Sequence, residues 1–308
     1  MRDPQWLIAE AKRWHIFENF MKENLVLTKE YDSWESIKQD LPDYGYDAII
    51  VGGDQVWNTS CFDFDWAYYL PGTIGSIKKI AFSPSFGNSI PYTKSNADLV
   101  IEIRKYLEDF DFISVRESDA SAFLHGLLNK DIPVVLDPAF LLDSSKYLQP
   151  VVEPIVSEPY IYYYSPALTA DYDAEDIAVE LANKLGLRII TSYPRYGRRT
   201  PMKTFLSGPT EFLNLISNAK IVIGKSFHLV VFSVLFHREF ITVNFKKDAR
   251  VDTLLNDLGI SGRNILSADE YESLTKVDYA IVDRELSRLK QRSMSFLREA
   301  IDSCVTGV

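Results

Sequence analysis

Cysteine is nearly absent: Cys61 and Cys304 are the only two in 308 residues, and they stand far apart. That excludes a disulfide-stapled scaffold and a cysteine metal cluster, and two free thiols in a reducing compartment are expected. Basic charge is also short, with 33 Lys and Arg against 43 Asp and Glu and a net charge of −10. No broad positive field exists for nucleic acid, so no nucleic-acid partner is expected, and an anionic ligand would need a local basic pocket. No run reaches the ~18 apolar residues that suggest a membrane span. The opening Met1-Arg2-Asp3-Pro4-Gln5-Trp6 has no apolar signal core, so a cytoplasmic protein is expected. There is no P-loop, no G-x-G-x-x-G fingerprint and no zinc-ligand spacing. His15, His125 and His237 lack partners at ligand spacing, so no metal is expected and they are assigned to packing or surface.

What is present is an ordinary globular composition, 46% hydrophobic and 25% charged. A chain of this length can bury one large core or two ordinary ones. Leu7, Ala11, Trp14, Phe17, Met21 and Leu25 recur at helical spacing after Asp3-Pro4, predicting an amphipathic opening helix. A second short helix is predicted over 33–41.

Short apolar runs then alternate with helical patterns. Strands are predicted at 48–51, 79–82, 112–115 and 134–136, with helices at 96–109 and 117–128. Ser144-Ser145, Pro150, Pro154 and Pro159 break any regular pattern, and 144–159 reads as a linker. Alternation restarts with strands at 160–164, 187–191, 221–223 and 240–243. The helices between and after them are predicted at 174–185, 210–218, 226–236 and 251–258. A long final helix over 283–302 carries Leu286, Leu289, Ser293, Phe296 and Ala300 on one face. Such alternation predicts an α/β protein with parallel sheets. Two lobes are expected, 1–150 and 151–308, with a cleft between them and the last helix in the second. Open parallel sheets bind ligands at the carboxyl ends of their strands, so the residues just after strands are the candidate site positions.

Four segments carry candidate chemistry. Gly52-Gly53-Asp54-Gln55-Val56-Trp57 follows the strand at 48–51. There Gly53 would allow close approach, Asp54 could take a proton from a hydroxyl, and Trp57 could stack on a sugar. The competing reading is a tight turn with Trp57 in the core. Gly224-Lys225-Ser226-Phe227-His228 opens a nearly all-apolar helix, whose start is an anion site with Lys225, Ser226 and His228 in reach. Arg116, in Ser114-Val115-Arg116-Glu117-Ser118, could fork onto a carboxylate or phosphate, or be salt-bridged to a nearby acid. The loop 193–203 holds Arg195, Arg198, Arg199 and Lys203 with no acid, and could meet a diphosphate or anionic glycan or simply be solvated. Lys246-Lys247-Asp248-Ala249-Arg250 reads the same way. Asp137-Pro138 reads as a turn.

Taken in order, these segments resemble the polysaccharide pyruvyl transferase family. The resemblance is carried by 46–58, 79–87, Ser114-Val115-Arg116-Glu117, Asp137-Pro138, Ser226-Phe227-His228, Val231-Phe232-Ser233, Arg250 before Leu254-Leu255, and Val277-Asp278-Tyr279. It implies a fold of two Rossmann-like lobes, similar to the GT-B glycosyltransferases. It also implies phosphoenolpyruvate as donor substrate, no cofactor, and transfer of a pyruvyl group to a sugar of a surface polysaccharide precursor. On that reading His228 and Asp54 are catalytic, and Arg116, Lys225 and Ser226 hold the donor. Gly53, Gln55, Trp57, Arg195, Arg198 and Arg199 face a glycan or lipid-linked saccharide acceptor, which leaves peripheral contact with the inner face of the membrane open. Family members usually begin with a strand and an Asn/Gly-rich turn. This chain begins beyond them, so the first strand of the first lobe is expected to be absent. Many members also carry arginine two residues before the histidine. Ser226 stands there, and Lys225 or Arg116 is expected to supply the charge. A nucleotide-sugar glycosyltransferase and a non-catalytic glycan-binding protein remain alternatives.

Overall fold

The computed structural model describes residues 4–91, 96–149, 153–166, 172–193, 202–243 and 248–305. In chain order the first elements are α1 (Pro4–Asn24), α2 (Trp34–Tyr44), β1 (Ala48–Gly52), β2 (Lys78–Phe82), α3 (Ala97–Leu107), β3 (Phe112–Ile113), α4 (Ser118–Leu128) and α5 (Ser144–Leu148). Then follow β4 (Tyr160–Tyr164), α6 (Tyr172–Leu185), β5 (Arg188–Thr191), β6 (Met202–Thr204), α7 (Pro209–Asn218) and β7 (Ile221–Gly224). The last are α8 (Phe227–Leu235), β8 (Phe240–Thr242), α9 (Ala249–Asp257) and α10 (Tyr279–Val305). Every strand pairing is parallel, as the alternation predicts. Among the described residues no helix is long and apolar enough to cross a membrane.

The chain divides into two compact units, and neither is continuous in sequence. One comprises Lys29–Leu141, Lys247–Leu258 and Ala280–Val308; the other comprises Met1–Thr28, Leu142–Lys246 and Gly259–Tyr279. This corrects the expected division into 1–150 and 151–308. The opening helix belongs with the later strands, and the final helix belongs with the earlier ones.

The first of these units holds a three-stranded sheet of order β1-β2-β3. A single parallel bridge from Val115 to Val134 stands where a further strand was expected over 134–136. Pro133 has no N–H to extend that ladder, and Asp137 turns the chain by accepting from the Ala139 N–H at 2.9 Å. Helices are stopped and started by local chemistry. Ser33 caps α2 by accepting from Ser36 N at 3.2 Å, and Gly45 ends it in the left-handed conformation. Leu289, Ser293 and Ala300 are buried along α10, and the Ser293 hydroxyl accepts from Leu136 N at 2.9 Å. The apolar face expected for that helix is the one that packs.

The second unit holds five strands in the order β6-β5-β4-β7-β8. Central β4 reads Tyr-Ile-Tyr-Tyr-Tyr, and its buried hydroxyls are satisfied. Tyr160 donates to Leu215 O at 2.8 Å, and Tyr162 meets Ser192 Oγ at 2.6 Å. The expected linker contains α5, whose Tyr147 packs edge-on against Phe232. The stripe expected to pack on α1 does not: Trp14, Phe17, Met21 and Leu25 are exposed. Among the described side chains of the helix, Ala9, Glu10, Arg13, Ile16, Glu18 and Phe20 are the partly buried ones. Arg13 lies with its guanidinium 4.2 Å from the centre of the Tyr193 ring. The same face brings Ile16 against Gly208, so the face that packs is mixed rather than apolar.

Candidate active site

In the three-stranded unit, successive strand ends converge. The Gly52-Gly53-Asp54 turn follows β1, Ser83–Gly87 follows β2, and Ser114–Glu117 follows β3. The first two turns approach so closely that a Cβ on Gly52, at φ +143, would lie 1.9 Å from Phe82 O. Gly53 sits half-buried beside Pro138.

Asp54 is the exposed member, with 61% of its side chain open to solvent. Two buried guanidiniums stand behind it: Arg116 Nη1 and Arg250 Nη1 each lie 3.9 Å from Asp54 Oδ1. Arg116 is paired at 2.7 Å with buried Asp137. Burial pulls the Arg116 guanidinium below its usual range, opposed by Asp137 and Asp54. Arg250 is held by Asp248 through Nε at 2.9 Å and Nη2 at 2.5 Å. Burial works against its charge, but Asp248 and Asp54 outweigh that and raise it. The Gln55 amide lies within hydrogen-bond distance of Asn58 and, with its oxygen turned to Arg250, accepts from Nη1 at 2.9 Å and Nη2 at 3.2 Å.

Among the described residues this cluster joins three aspartates to two arginines, an excess of carboxylates. Arg116 is thus salt-bridged to Asp137 within its own unit, the second of the two readings its sequence position allowed. The reading of Trp57 is corrected. It is fully buried, stacked on Tyr69 at 5.3 Å with Phe86 and Phe110 edge-on, and its indole N–H donates to Tyr68 O at 3.0 Å. It presents no face to a sugar. Glu117, Asp137, Asp248 and Arg250 are the members that the sequence reading did not assemble.

In the five-stranded unit, β7 is buried throughout and delivers Lys225, Ser226 and His228 to its carboxyl end. Lys225 N donates to Tyr164 O at 3.3 Å, tying this turn to the end of β4. Ser226 takes the extended N-cap conformation of α8, but its hydroxyl makes no capping bond. His228, in the first helical turn, is half-buried with Phe227 edge-on at 5.5 Å. The helix behind it is almost wholly apolar, so its polar groups gather at its start, where free N–H groups and the dipole favour an anion. Arg195, Arg198 and Arg199 lie outside the described residues. Among the described residues no group of three His, Cys, Asp or Glu side chains could hold a metal ion.

Solved structures share this architecture. UDP-GlcNAc 2-epimerase from Methanocaldococcus jannaschii, in complex with UDP-GlcNAc and UDP, is 16% identical at TM-score 0.53, covering 87% of this chain and 80% of its own. The S. aureus MnaA–UDP structure is 9% identical at TM-score 0.53, over 90% and 84%. A glycosyltransferase from Rickettsia africae is 12% identical at TM-score 0.50, over 92% and 87%. At these identities the likeness defines the class of fold: an α/β protein of parallel sheets, like the GT-B glycosyltransferases and epimerases. No curated protein matches the sequence. The sequence profile of the polysaccharide pyruvyl transferases matches residues 6–246, and the chain belongs to that family. It is a transferase.

Proposed function

We propose that this enzyme moves a pyruvyl group from phosphoenolpyruvate onto two hydroxyls of a sugar in a surface polysaccharide precursor. The observation that carries the reading is the family match joined to an exposed carboxylate, Asp54, held at a strand end between two buried guanidiniums. A cluster with an excess of carboxylates suits a neutral polyhydroxyl acceptor, and the start of α8 suits the anionic donor.

Protonation of the donor's C3 makes C2 an oxocarbenium-like centre. One sugar oxygen bonds to C2 as its proton passes to Asp54. Inorganic phosphate departs, and the second hydroxyl adds to C2 with loss of its proton, closing a cyclic ketal. His228 delivers the proton to C3 or holds the phosphate, with Lys225, Ser226 and the α8 N–H groups around that phosphate. The acceptor is a glycan or lipid-linked saccharide, met on the cytoplasmic side of the membrane, and no cofactor is invoked.

Thermal unfolding with phosphoenolpyruvate, UDP or GDP tests this. A ligand at about 100 times its Kd that binds only the folded state adds about 2.7 kcal/mol. A shift with phosphoenolpyruvate that is lost in His228→Ala supports the reading. A shift with a nucleotide alone points to a nucleotide-sugar glycosyltransferase. Binding of sugar without any donor points to a non-catalytic glycan-binding protein.

A further inference from the structure

Glu117 is wholly buried at the N-cap of α4. Its Oε1 accepts from Ser85 Oγ at 3.0 Å and from Phe86 N at 2.8 Å. Ser85 Oγ in turn accepts from Gly87 N at 2.8 Å. The backbone of the same turn holds the turn after β1: Ser85 N donates to Asp54 O at 2.9 Å, and Ser85 O accepts from Trp57 N at 3.2 Å. The two turns touch closely enough that a Cβ on Gly87, at φ +57, would lie 2.1 Å from the end of the Gln55 amide. One buried carboxyl oxygen thus fixes 85–87, and 85–87 fixes the backbone that carries Asp54 and Gln55. The other oxygen, Oε2, is buried without a hydrogen-bond partner among the described residues.

We propose that Glu117 is a positioning residue that sets the place of Asp54 through the Ser85–Gly87 turn. Where Asp54 acts rests on the pyruvyl-transfer reading; how it is held does not. Below about pH 7 Glu117 does this work uncharged. The charged groups that face it are Arg116 and Arg250, and both are shared with Asp54, Asp137 and Asp248. Burial outweighs the turn's N–H and hydroxyl donors and both arginines, and raises the carboxyl to about 7. Ionised, Glu117 would add a further negative charge competing with Asp54, Asp137 and Asp248 for the same two guanidiniums.

The experiment compares the full chain with Glu117→Gln and Glu117→Ala by amide exchange at Trp57, Phe86 and Gly87, at pH 6 and pH 8.5. Protection corrected for intrinsic exchange should fall about tenfold or more in the wild type on raising pH, stay level in Glu117→Gln, and be low at both pH values in Glu117→Ala. An equal fall in wild type and Glu117→Gln, or wild-type protection in Glu117→Ala, overturns the proposal. Phosphate release from phosphoenolpyruvate with methyl hexosides as acceptors gives the functional arm. Glu117→Gln should keep at pH 8.5 the rate that the wild type loses, and Glu117→Ala should be slowed about 10- to 100-fold. A Glu117→Gln rate that falls with pH as the wild type's does counts against the proposal. A wild type that releases no phosphate defeats the donor reading alone, and amide exchange still decides the role of Glu117.

Discussion

Arg116 Nη2 lies 2.7 Å from Asp137 Oδ2, and neither side chain is more than 3% exposed. A buried pair of this kind is costly to break on one side, because the remaining charge is left in a poor solvent. Arg116→Met should therefore destabilise the protein by about 3–5 kcal/mol. Adding Asp137→Leu should restore much of that loss. Urea unfolding of the two single variants and the double variant reads the coupling, and strictly additive losses would contradict the pairing.

Asp54 stands at the other extreme. Its exposed carboxylate contributes little packing, so Asp54→Asn should leave the melting temperature nearly unchanged. If it is the base for the acceptor hydroxyl, turnover should drop by about 10²- to 10⁴-fold. Donor binding, followed by thermal shift, should persist. A variant with wild-type turnover removes Asp54 from the mechanism.

Stability should also carry a pH signature from Glu117. Its carboxyl is raised from 4.5 to about 7, by burial first. Between those values the unfolded chain has released the proton while the folded one retains it, so stability falls as pH rises. The loss is about 1.4 kcal/mol per pH unit, roughly 3 kcal/mol across the window, and it levels off above the folded value. Glu117→Gln should flatten that slope. Denaturant titrations from pH 4.5 to 8 check it, and a wild type whose slope matches the variant's would refute it.

Trp57 is a structural residue with a large stake. Trp57→Ala empties a fully buried ring site and should cost about 3–5 kcal/mol. Trp57→Phe should cost less. Saccharide affinity measured on the folded fraction should be unchanged in Trp57→Phe, and a selective loss of affinity would return the ring to the binding surface.

Most strands were legible as short apolar runs, β4, β7 and β8 most plainly because they are buried almost throughout, and the turns after β1 and β7 were legible from Gly52-Gly53 and Gly224. Mostly exposed β6 reads as part of the loop 193–203, and the strand expected at 134–136 is a single bridge. The partnerships were not. Arg250 stands far along the chain from Asp54, and nothing local in Lys246-Lys247-Asp248-Ala249-Arg250 separates a solvated run from a buried guanidinium. Asp137 looked like a turn residue because it is one, capping Ala139 N while also meeting Arg116. Trp57 could be read either as a stacking platform or as core, and only its neighbours Tyr69, Phe86 and Phe110 decide between them. The face of α1 was misjudged because period alone ranks Trp14 and Phe17 above Arg13, whereas the packed face joins Ile16 against Gly208 to an arginine over the Tyr193 ring.

The alternation of chain segments between the two units bears on the order in which the protein is made. Asp54, Arg116 and Asp137 leave the ribosome early, but Asp248 and Arg250 follow only after the last strand of the five-stranded sheet. Ser293, which holds Leu136, comes later still. Pairings across such long separations form slowly. A nascent chain halted near residue 246 would carry the carboxylate of Asp54 without one of its two guanidiniums, so the charge balance around Asp54 is completed only when synthesis is nearly finished.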